Sequence, residues 1–128
     1  TEPTLNENLP SDPRDTTMPD AMARTLKRFL LDDGVLDAES REKLIGWMVA
    51  SPTGRERLRA GLPPTWRVGD KTGTWNGEHN AANDVAVAWP PNRAPILIAS
   101  YLSDSTVDAA ARNAAHAEIG RIIAEEWS

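Results

Sequence analysis

The stretch Trp66-Arg67-Val68-Gly69-Asp70-Lys71-Thr72-Gly73-Thr74 predicts a β-strand that ends in a Lys-Thr-Gly triplet. Lys71 offers a compact positive charge and Thr72 a hydroxyl donor beside it, and both suit a carboxylate. Gly73 removes a side chain where another backbone has to approach closely. Thr74 can present its main-chain N–H to a carbonyl oxygen that becomes an oxyanion. Taken alone, the triplet also fits a surface strand with a solvated lysine and a glycine bulge.

Two more strands follow along the chain. Residues 75–83 have turn chemistry, and Asp84–Trp89 alternates larger apolar side chains with alanine. After a turn at residues 90–92, Ala94–Leu102 is a nearly continuous apolar run, as expected of a central strand. The sequence therefore predicts three antiparallel strands within residues 66–102.

Helices are predicted on the amino-terminal side of these strands, within residues 17–61. Thr17 is a good N-cap for the first helix, which Asp33-Gly34 ends. Asp37 caps a second helix that Ser51-Pro52 stops, with Trp47 among its inward side chains. A single short helix is predicted at residues 54–60.

A long terminal helix is predicted at residues 105–127, with Ser105 or Thr106 as its cap. We expect His116 to be exposed or half-buried on this helix, and Trp66 and Trp127 to pack in the core. The predicted apolar stripe of the helix consists of Val107, Ala111, Ala115, Ile119, Ile122 and Ile123.

The predicted fold class is α/β (an α+β sandwich), with an antiparallel sheet flanked by helices. Three strands are too little sheet for so much apolar helix surface, and the terminal helix needs sheet partners that these residues do not supply. The pattern therefore indicates that residues 1–128 are a part of one larger domain rather than a whole domain.

Composition excludes several classes of function. The 128 residues are 40% apolar and 26% charged, which is typical of a globular protein, and the net charge is −5. An acidic balance argues against a nucleic-acid partner, which requires a clustered basic surface. No apolar run approaches the roughly 20 residues of a membrane helix, so no membrane partner is expected. The polar start is compatible with a removed signal peptide or with a start inside a longer protein.

Residues 1–16 predict a loop that is long enough to be functional. Glu2 in such a loop could polarise a water molecule as a general base, and the side-chain amide of Asn6 could hold the same water. Considered without the rest of the chain, Glu2 fits an exposed acid on a frayed terminus better than a general base.

Together these residues resemble the C-terminal portion of a class A (serine) β-lactamase. The resemblance rests on Glu2-x-x-Leu5-Asn6, on Asp15-Thr16-Thr17, and on Lys71-Thr72-Gly73 with its strand, hairpin, strand and helix context. It implies a β-lactamase/transpeptidase-like fold and β-lactam hydrolysis through a serine acyl-enzyme. It also implies a bacterial protein that is periplasmic or secreted, and a complete enzyme that is a monomer.

The resemblance assigns roles to individual residues. Glu2 would activate water for deacylation, with Asn6 positioning that water. The segment Lys71-Thr72-Gly73-Thr74 would bind the substrate carboxylate, and the Thr74 N–H would complete the oxyanion hole. Arg57 would support carboxylate binding from beside the strand, although it is equally a solvated helix residue. No cofactor is implied, and no pattern of metal ligands is recognisable.

The nucleophile that this chemistry requires is missing from the sequence. Ser-Asp-Asn does not occur, and no Ser-x-x-Lys precedes Glu2. The Ser40-Arg41-Glu42-Lys43 sequence comes after Glu2 and fits a solvated helix face. We therefore expect the N-terminal portion of the same enzyme to be the partner that supplies the serine, and the chain alone to be inactive.

Three points remain open from the sequence. Trp75 follows Thr74 where a small residue is usual in the family, and we hypothesise that it reshapes access for bulky substrates. A D-Ala-D-Ala peptidase or penicillin-binding protein shares Lys-Thr-Gly but normally lacks Glu-x-x-Leu-Asn. A non-catalytic complementation fragment is the other alternative.

Overall fold

The computed structural model describes residues 9–127, and within them a three-stranded antiparallel sheet lies between two helical layers. Glu2 and Asn6 lie outside the described residues. The elements are α1 (Pro19–Leu30), α2 (Ala38–Ala50), α3 (Leu58–Gly61), β1 (Arg67–Trp75), β2 (Asn80–Trp89), β3 (Ile96–Ser105) and α4 (Ala109–Trp127). The predicted fold class and the order of the elements are confirmed.

The helix starts are only partly as predicted. Asp37 caps α2, and its side chain accepts a hydrogen bond from the Ser40 N–H. The prediction of Thr17 as the cap of α1 is wrong, because Met18 occupies that position without a side-chain bond and Pro19 begins the helix. The cap of α4 is Asp108, whose Oδ1 accepts from the Ala111 N–H at 2.8 Å. Ser105 cannot fill that role because it still belongs to β3.

Two strands are longer than the sequence predicts. β2 begins at Asn80, four residues before the expected start, and β3 continues to Ser105, which lies opposite Asn80. The sheet order is β1-β2-β3, so β3 is an edge strand among the described residues rather than the expected central one. An apolar strand with an unpaired edge is a surface that another strand can cover.

Side chains of alternate residues divide the interior into two cores. On one face of the sheet, the α1/α2 side, Val87 packs with Leu26, Leu30, Ile45 and Met48. On the other face, the α3/α4 side, the core consists of Leu58, Leu62, Trp66, Val68, Ala86, Ala88, Ile98 and Ala124. Trp66 is therefore buried as predicted. Trp47 and Trp127 are not, since they are 71% and 51% exposed.

The buried face of α4 differs from the predicted stripe. Arg112, His116, Gly120 and Ala124 are the buried residues, whereas Val107, Ile119 and Ile122 are exposed. The cause is the close approach of α3, because a Cβ on Gly120 would overlap the main-chain oxygen of Leu58. Only small or well-bonded side chains fit along that row, so the larger isoleucines lie elsewhere on the helix.

His116 is buried rather than exposed or half-exposed, because it joins α4 to two strands. Its Nε2 lies 2.8 Å from the Ala82 main-chain oxygen and its Nδ1 lies 2.7 Å from Ser100 Oγ. A carbonyl oxygen can only accept, so Nε2 carries the proton and Nδ1 of the neutral ring accepts from the serine. Burial lowers the pKa of His116, which favours this neutral form.

No helix in the described part of the chain is long and apolar enough to span a membrane.

Candidate active site

Lys71 and Thr72 lie on β1, which is an edge strand of the sheet that the described residues form. The Lys71 side chain is exposed, and its Nζ donates to the Thr72 main-chain oxygen at 2.6 Å. The Thr72 hydroxyl donates to Thr53 Oγ1 at 2.8 Å. A cation and two hydroxyl groups therefore lie together at an edge that solvent can reach, which is the chemistry that holds a carboxylate.

A cavity of about 540 Å³ opens beside this edge. One wall is the segment 9–17 that leads into α1, and the other is the sheet, including Lys71, Thr72, Gly73, Asn83 and Tyr101. The size is within the range of small-molecule sites. The triplet is thus part of a concave site rather than of a flat strand surface.

Gly73 gives the cavity room. A Cβ placed on Gly73 would have Asn83 Cβ as its nearest neighbour at 3.8 Å, which is ordinary van der Waals contact. Packing within the described residues therefore does not require glycine, contrary to the expected close backbone approach. The side chain that is missing at Gly73 instead leaves space beside Lys71.

Arg57 lies under the end of β1 and is only 7% exposed. Its Nη1 donates to the main-chain oxygens of Gly73 at 3.1 Å and Asn83 at 2.7 Å, and its Nη2 donates to Thr74 Oγ1 at 2.7 Å. The structure therefore brings Arg57 to the predicted strand and not to solvent. Burial lowers the pKa of Arg57 while the Asp84 carboxyl opposes that effect, and the guanidinium remains charged.

Asn113 of α4 orients Arg57. Its Oδ1 accepts from Arg57 Nε at 2.9 Å, and its Nδ2 donates to Glu56 Oε2 at 3.2 Å. The guanidinium is thus fixed by four partners from β1, β2 and α4. Its positive charge is therefore held in a defined position before any ligand binds.

Sequence reasoning missed Asn113, and it missed the buried carboxyl groups of Asp70 and Asp84 beneath the same strand. Asp70 directly precedes Lys71 and Asp84 begins the predicted second strand, so an acid within a strand pattern was an available signal. Nothing in the sequence around Asn113 distinguishes it from a solvated helical residue. Among residues 9–127 no cluster of three or more histidine or acidic side chains could hold a metal ion.

Comparison with protein families gives one match over almost the whole chain. A family model described as "Beta-lactamase enzyme family" matches residues 2–127. Among curated proteins, the beta-lactamase CTX-M-6 of Salmonella typhimurium is 43% identical over 123 residues, which cover 96% of this chain and 41% of that protein. The beta-lactamase AST-1 of Nocardia asteroides is 48% identical, with 97% of this chain and 39% of that protein covered.

Solved structures give the same result for the fold. An ancestral class A beta-lactamase has a TM-score of 0.92 and 57% identity, covering 98% of this chain and 47% of that one. A beta-lactamase from Xanthomonas campestris pv. campestris has a TM-score of 0.89 and 49% identity, covering 97% of this chain and 46% of that one. The chain thus spans less than half the length of the proteins that it matches.

Proposed function

The chain belongs to the beta-lactamase enzyme family and corresponds to part of a class A β-lactamase, and on that premise we propose that it is the C-terminal portion of an enzyme that hydrolyses β-lactam antibiotics. The reaction would run through a serine acyl-enzyme. This chain would supply the carboxylate-binding strand and the deacylation base, and the complete enzyme would act in the periplasm or outside the cell.

The observation that carries the proposal is the environment of the strand end. Lys71 and Thr72 line a cavity on the free edge of β1, and Arg57 is bonded to Gly73 and Thr74 of the same strand. One cation and several hydroxyl groups line this cavity, and the buried Arg57 adds positive charge to the same strand end, as binding a substrate carboxylate requires. The main-chain N–H of Thr74 would then be the oxyanion donor of this portion.

Glu2 and Asn6 complete the proposal on the hydrolytic side. A carboxylate next to the acyl-enzyme can take a proton from water as that water bonds to the ester carbonyl carbon. The ester C–O bond to serine then breaks, and the proton passes to the serine oxygen, which regenerates the carboxylate. Asn6 would hold the water in line. The serine nucleophile would come from the N-terminal portion, which we propose as the protein partner of this chain.

Exposed apolar surface on the described residues supports the proposal that the N-terminal portion binds this chain. A groove of about 640 Å³ runs between α1 and α2 and reaches Lys71, with Phe29 and Trp47 on its walls. The apolar side chains Ile119 and Ile122 on α4 are exposed, and no strand among residues 9–127 pairs with the outer edge of β3. Apolar surface of this extent marks an interaction site, and the groove beside Lys71 is where an element carrying the serine would have to lie.

Complementation tests the proposal. The chain alone should not hydrolyse nitrocefin, and mixing it with the N-terminal portion of a class A β-lactamase should restore hydrolysis. Lys71→Ala in the same mixture should abolish most of the restored activity, whereas Lys43→Ala on the exposed face of α2 should not. Turnover by the chain alone would refute the proposal that the serine nucleophile comes from the N-terminal portion. Association of the two portions without turnover would favour a non-catalytic complementation fragment. Slow hydrolysis of the acyl-enzyme would favour the alternative function, that of a D-Ala-D-Ala peptidase or penicillin-binding protein.

A further inference from the structure

Asp70 on β1, the strand that carries Lys71, and Asp84 on the adjacent β2 are both fully buried. Asp70 lies opposite Ala86 and Asp84 lies opposite Thr72 in the β1–β2 register. The two acids are therefore diagonal neighbours on one face of the sheet, the face that α3 and α4 cover. Neither belongs to the residues that the proposed reaction uses.

Each carboxyl group has one oxygen with donors and one without. Asp70 Oδ1 accepts from Arg59, through Nε at 3.1 Å and also through Nη2. Asp84 Oδ2 accepts from the Leu58 N–H at 3.1 Å. Asp70 Oδ2 and Asp84 Oδ1 are buried and have no hydrogen-bond partner among the described residues. Leaving two such oxygens ionised and unpaired would be costly in free energy.

Most hydrogen-bond donors on the surrounding elements bond to other groups. Gly54 lies directly against Asp70 Oδ2, because a Cβ on Gly54 would overlap that oxygen. Ser100, which lies opposite Asp84 on β3, donates to His116 instead. The charged and titratable groups of the packed elements bond as follows: Arg57 to Gly73, Asn83, Thr74 and Asn113, Arg59 to Asp70, Met48 and Val49, Lys71 to Thr72, and His116 to Ala82. Arg112 Nη2 donates to Asn76, and Arg112 Nη1 is buried without a hydrogen-bond partner among the described residues.

We infer that Asp70 and Asp84 share one proton, and that this pair, with a single net negative charge, positions the strand end that bears Lys71 and Thr72. The proton lies between Asp70 Oδ2 and Asp84 Oδ1, so one carboxyl group donates and the other accepts. Asp70 Oδ2 and Asp84 Oδ1 then each take part in a hydrogen bond. The remaining negative charge is balanced by Arg59, while Arg57 adds a favourable charge nearby.

The electrostatics of the pair agree with this arrangement. Burial, and after it the neighbouring Asp70 carboxylate, raises the pKa of Asp84 to about 7. A group whose pKa is higher in the folded protein than the ordinary 3.8 keeps its proton through the interval between the two values. The titration belongs to the pair and not to one residue.

Infrared spectroscopy of the complete protein that carries this segment tests the shared proton directly. Exposed carboxyl groups are ionised at about pH 6, so a C=O stretch of a protonated carboxyl group at that pH should come from this pair. Asp84→Asn should remove the band, because an amide can accept from Leu58 and donate to Asp70 without titrating. Asp70→Asn should do the same from the other side, and Asp33→Asn at the surface should leave the band unchanged. Absence of the band in the parent protein, or its persistence in both buried variants, would overturn the inference.

Equilibrium unfolding gives an independent measurement. Between about pH 4 and pH 7 the pair should make the folded state hold one more proton than it holds in Asp84→Asn, so the ratio of the parent's unfolding constant to that of Asp84→Asn should rise by at most about tenfold per pH unit. The same ratio taken against Asp33→Asn should stay constant, and any contribution of His116 is common to all these proteins and cancels. Equal pH dependence in the parent and both buried variants would contradict a shared proton.

The positioning role rests on the proposed function and has its own readout. In the complete enzyme, Asp84→Ala should raise KM for a β-lactam several-fold with a smaller change in kcat, and Asp84→Asn should restore KM. If the infrared band is present but no β-lactam is hydrolysed, the proposed function fails and the proton pair does not. If hydrolysis is normal and the band is absent, the proton pair fails alone.

Discussion

Arg57 donates to the main-chain oxygen of Gly73 at 3.1 Å, and this bond joins the turn before α3 to the strand that carries Lys71. The same guanidinium reaches the Asn83 oxygen on the neighbouring strand at 2.7 Å. One buried cation therefore fixes the end of the β1–β2 hairpin and contributes positive charge next to the proposed carboxylate site.

Removal of Arg57 should weaken substrate binding more than it slows the chemical step. Hydrogen bonds that involve a charged group contribute about 1.5–3 kcal/mol, so Arg57→Ala in the complete enzyme should lower kcat/KM for a penicillin by roughly 10- to 100-fold, mainly through KM. Arg57→Lys should be intermediate, because lysine keeps the charge without the planar set of donors.

Arg55 provides the matched control for that measurement. It lies two residues away, and its side chain is exposed. Steady-state kinetics of Arg55→Ala should equal those of the parent enzyme. Equal losses in the Arg55 and Arg57 variants would mean that overall positive charge, and not the bonds to the strand, is responsible.

The contact between α3 and α4 should tolerate no side chain at Gly120. A Cβ there would overlap the Leu58 main-chain oxygen, so Gly120→Ala should destabilise the protein by about 1–3 kcal/mol through overpacking. Gly46→Ala is the control, because Gly46 is also helical and has no atom within 4 Å of an added Cβ. It should stabilise α2 by roughly 0.5–1 kcal/mol. Denaturant unfolding of the two variants should move in opposite directions, and a shift in the same direction would contradict this account.

Features of the fold that depend on local interactions can be predicted from the sequence. Strand existence, the Asp37 cap and the order of elements depend on neighbouring residues, and these predictions are confirmed. The buried face of α4 depends on the contact of Gly120 with Leu58 of α3, far away in the sequence, and periodicity alone favoured the isoleucines. A pattern of apolar residues cannot distinguish a face that packs within the chain from one that remains exposed.

The site shows the same division. Lys71-Thr72-Gly73 is a local motif, and the strand predicted around it is present as β1, with a cavity beside it. The partners of Arg57 come from β1, β2 and α4, so no single stretch of sequence identifies Asn113 as one of them. The proposed roles of Glu2 and Asn6 remain predictions, since both residues lie outside the described part of the chain.

Trp75 should affect substrate choice through the hairpin that it packs against. A Cβ on Gly77 would lie 2.8 Å from the Trp75 indole Nε1, so the indole lies over the turn of its own hairpin, next to Thr74. Trp75→Gly in the complete enzyme should change the ratio of kcat/KM between a small penicillin and a bulky oxyimino-cephalosporin. The control is Trp127→Ser, at an exposed tryptophan at the end of α4. An unchanged ratio in the Trp75 variant would end the hypothesis that this residue shapes access.

His116 should make the fold sensitive to acid. Burial lowers the pKa of His116 below its ordinary 6.5, so below that pH the unfolded chain binds a proton that the folded protein does not. The contribution of the neutral ring to stability is therefore fully present above about pH 6.5 and is lost as the pH falls, by at most about 1.4 kcal/mol per pH unit. His116→Gln should reduce this loss in denaturant unfolding measured between about pH 7 and pH 5. The only other histidine is His79, in the turn before β2. His79→Gln is the control and should leave the loss of stability between about pH 7 and pH 5 unchanged. If His79→Gln reduces this loss and His116→Gln does not, the buried bonds of His116 to Ala82 and Ser100 are not its cause.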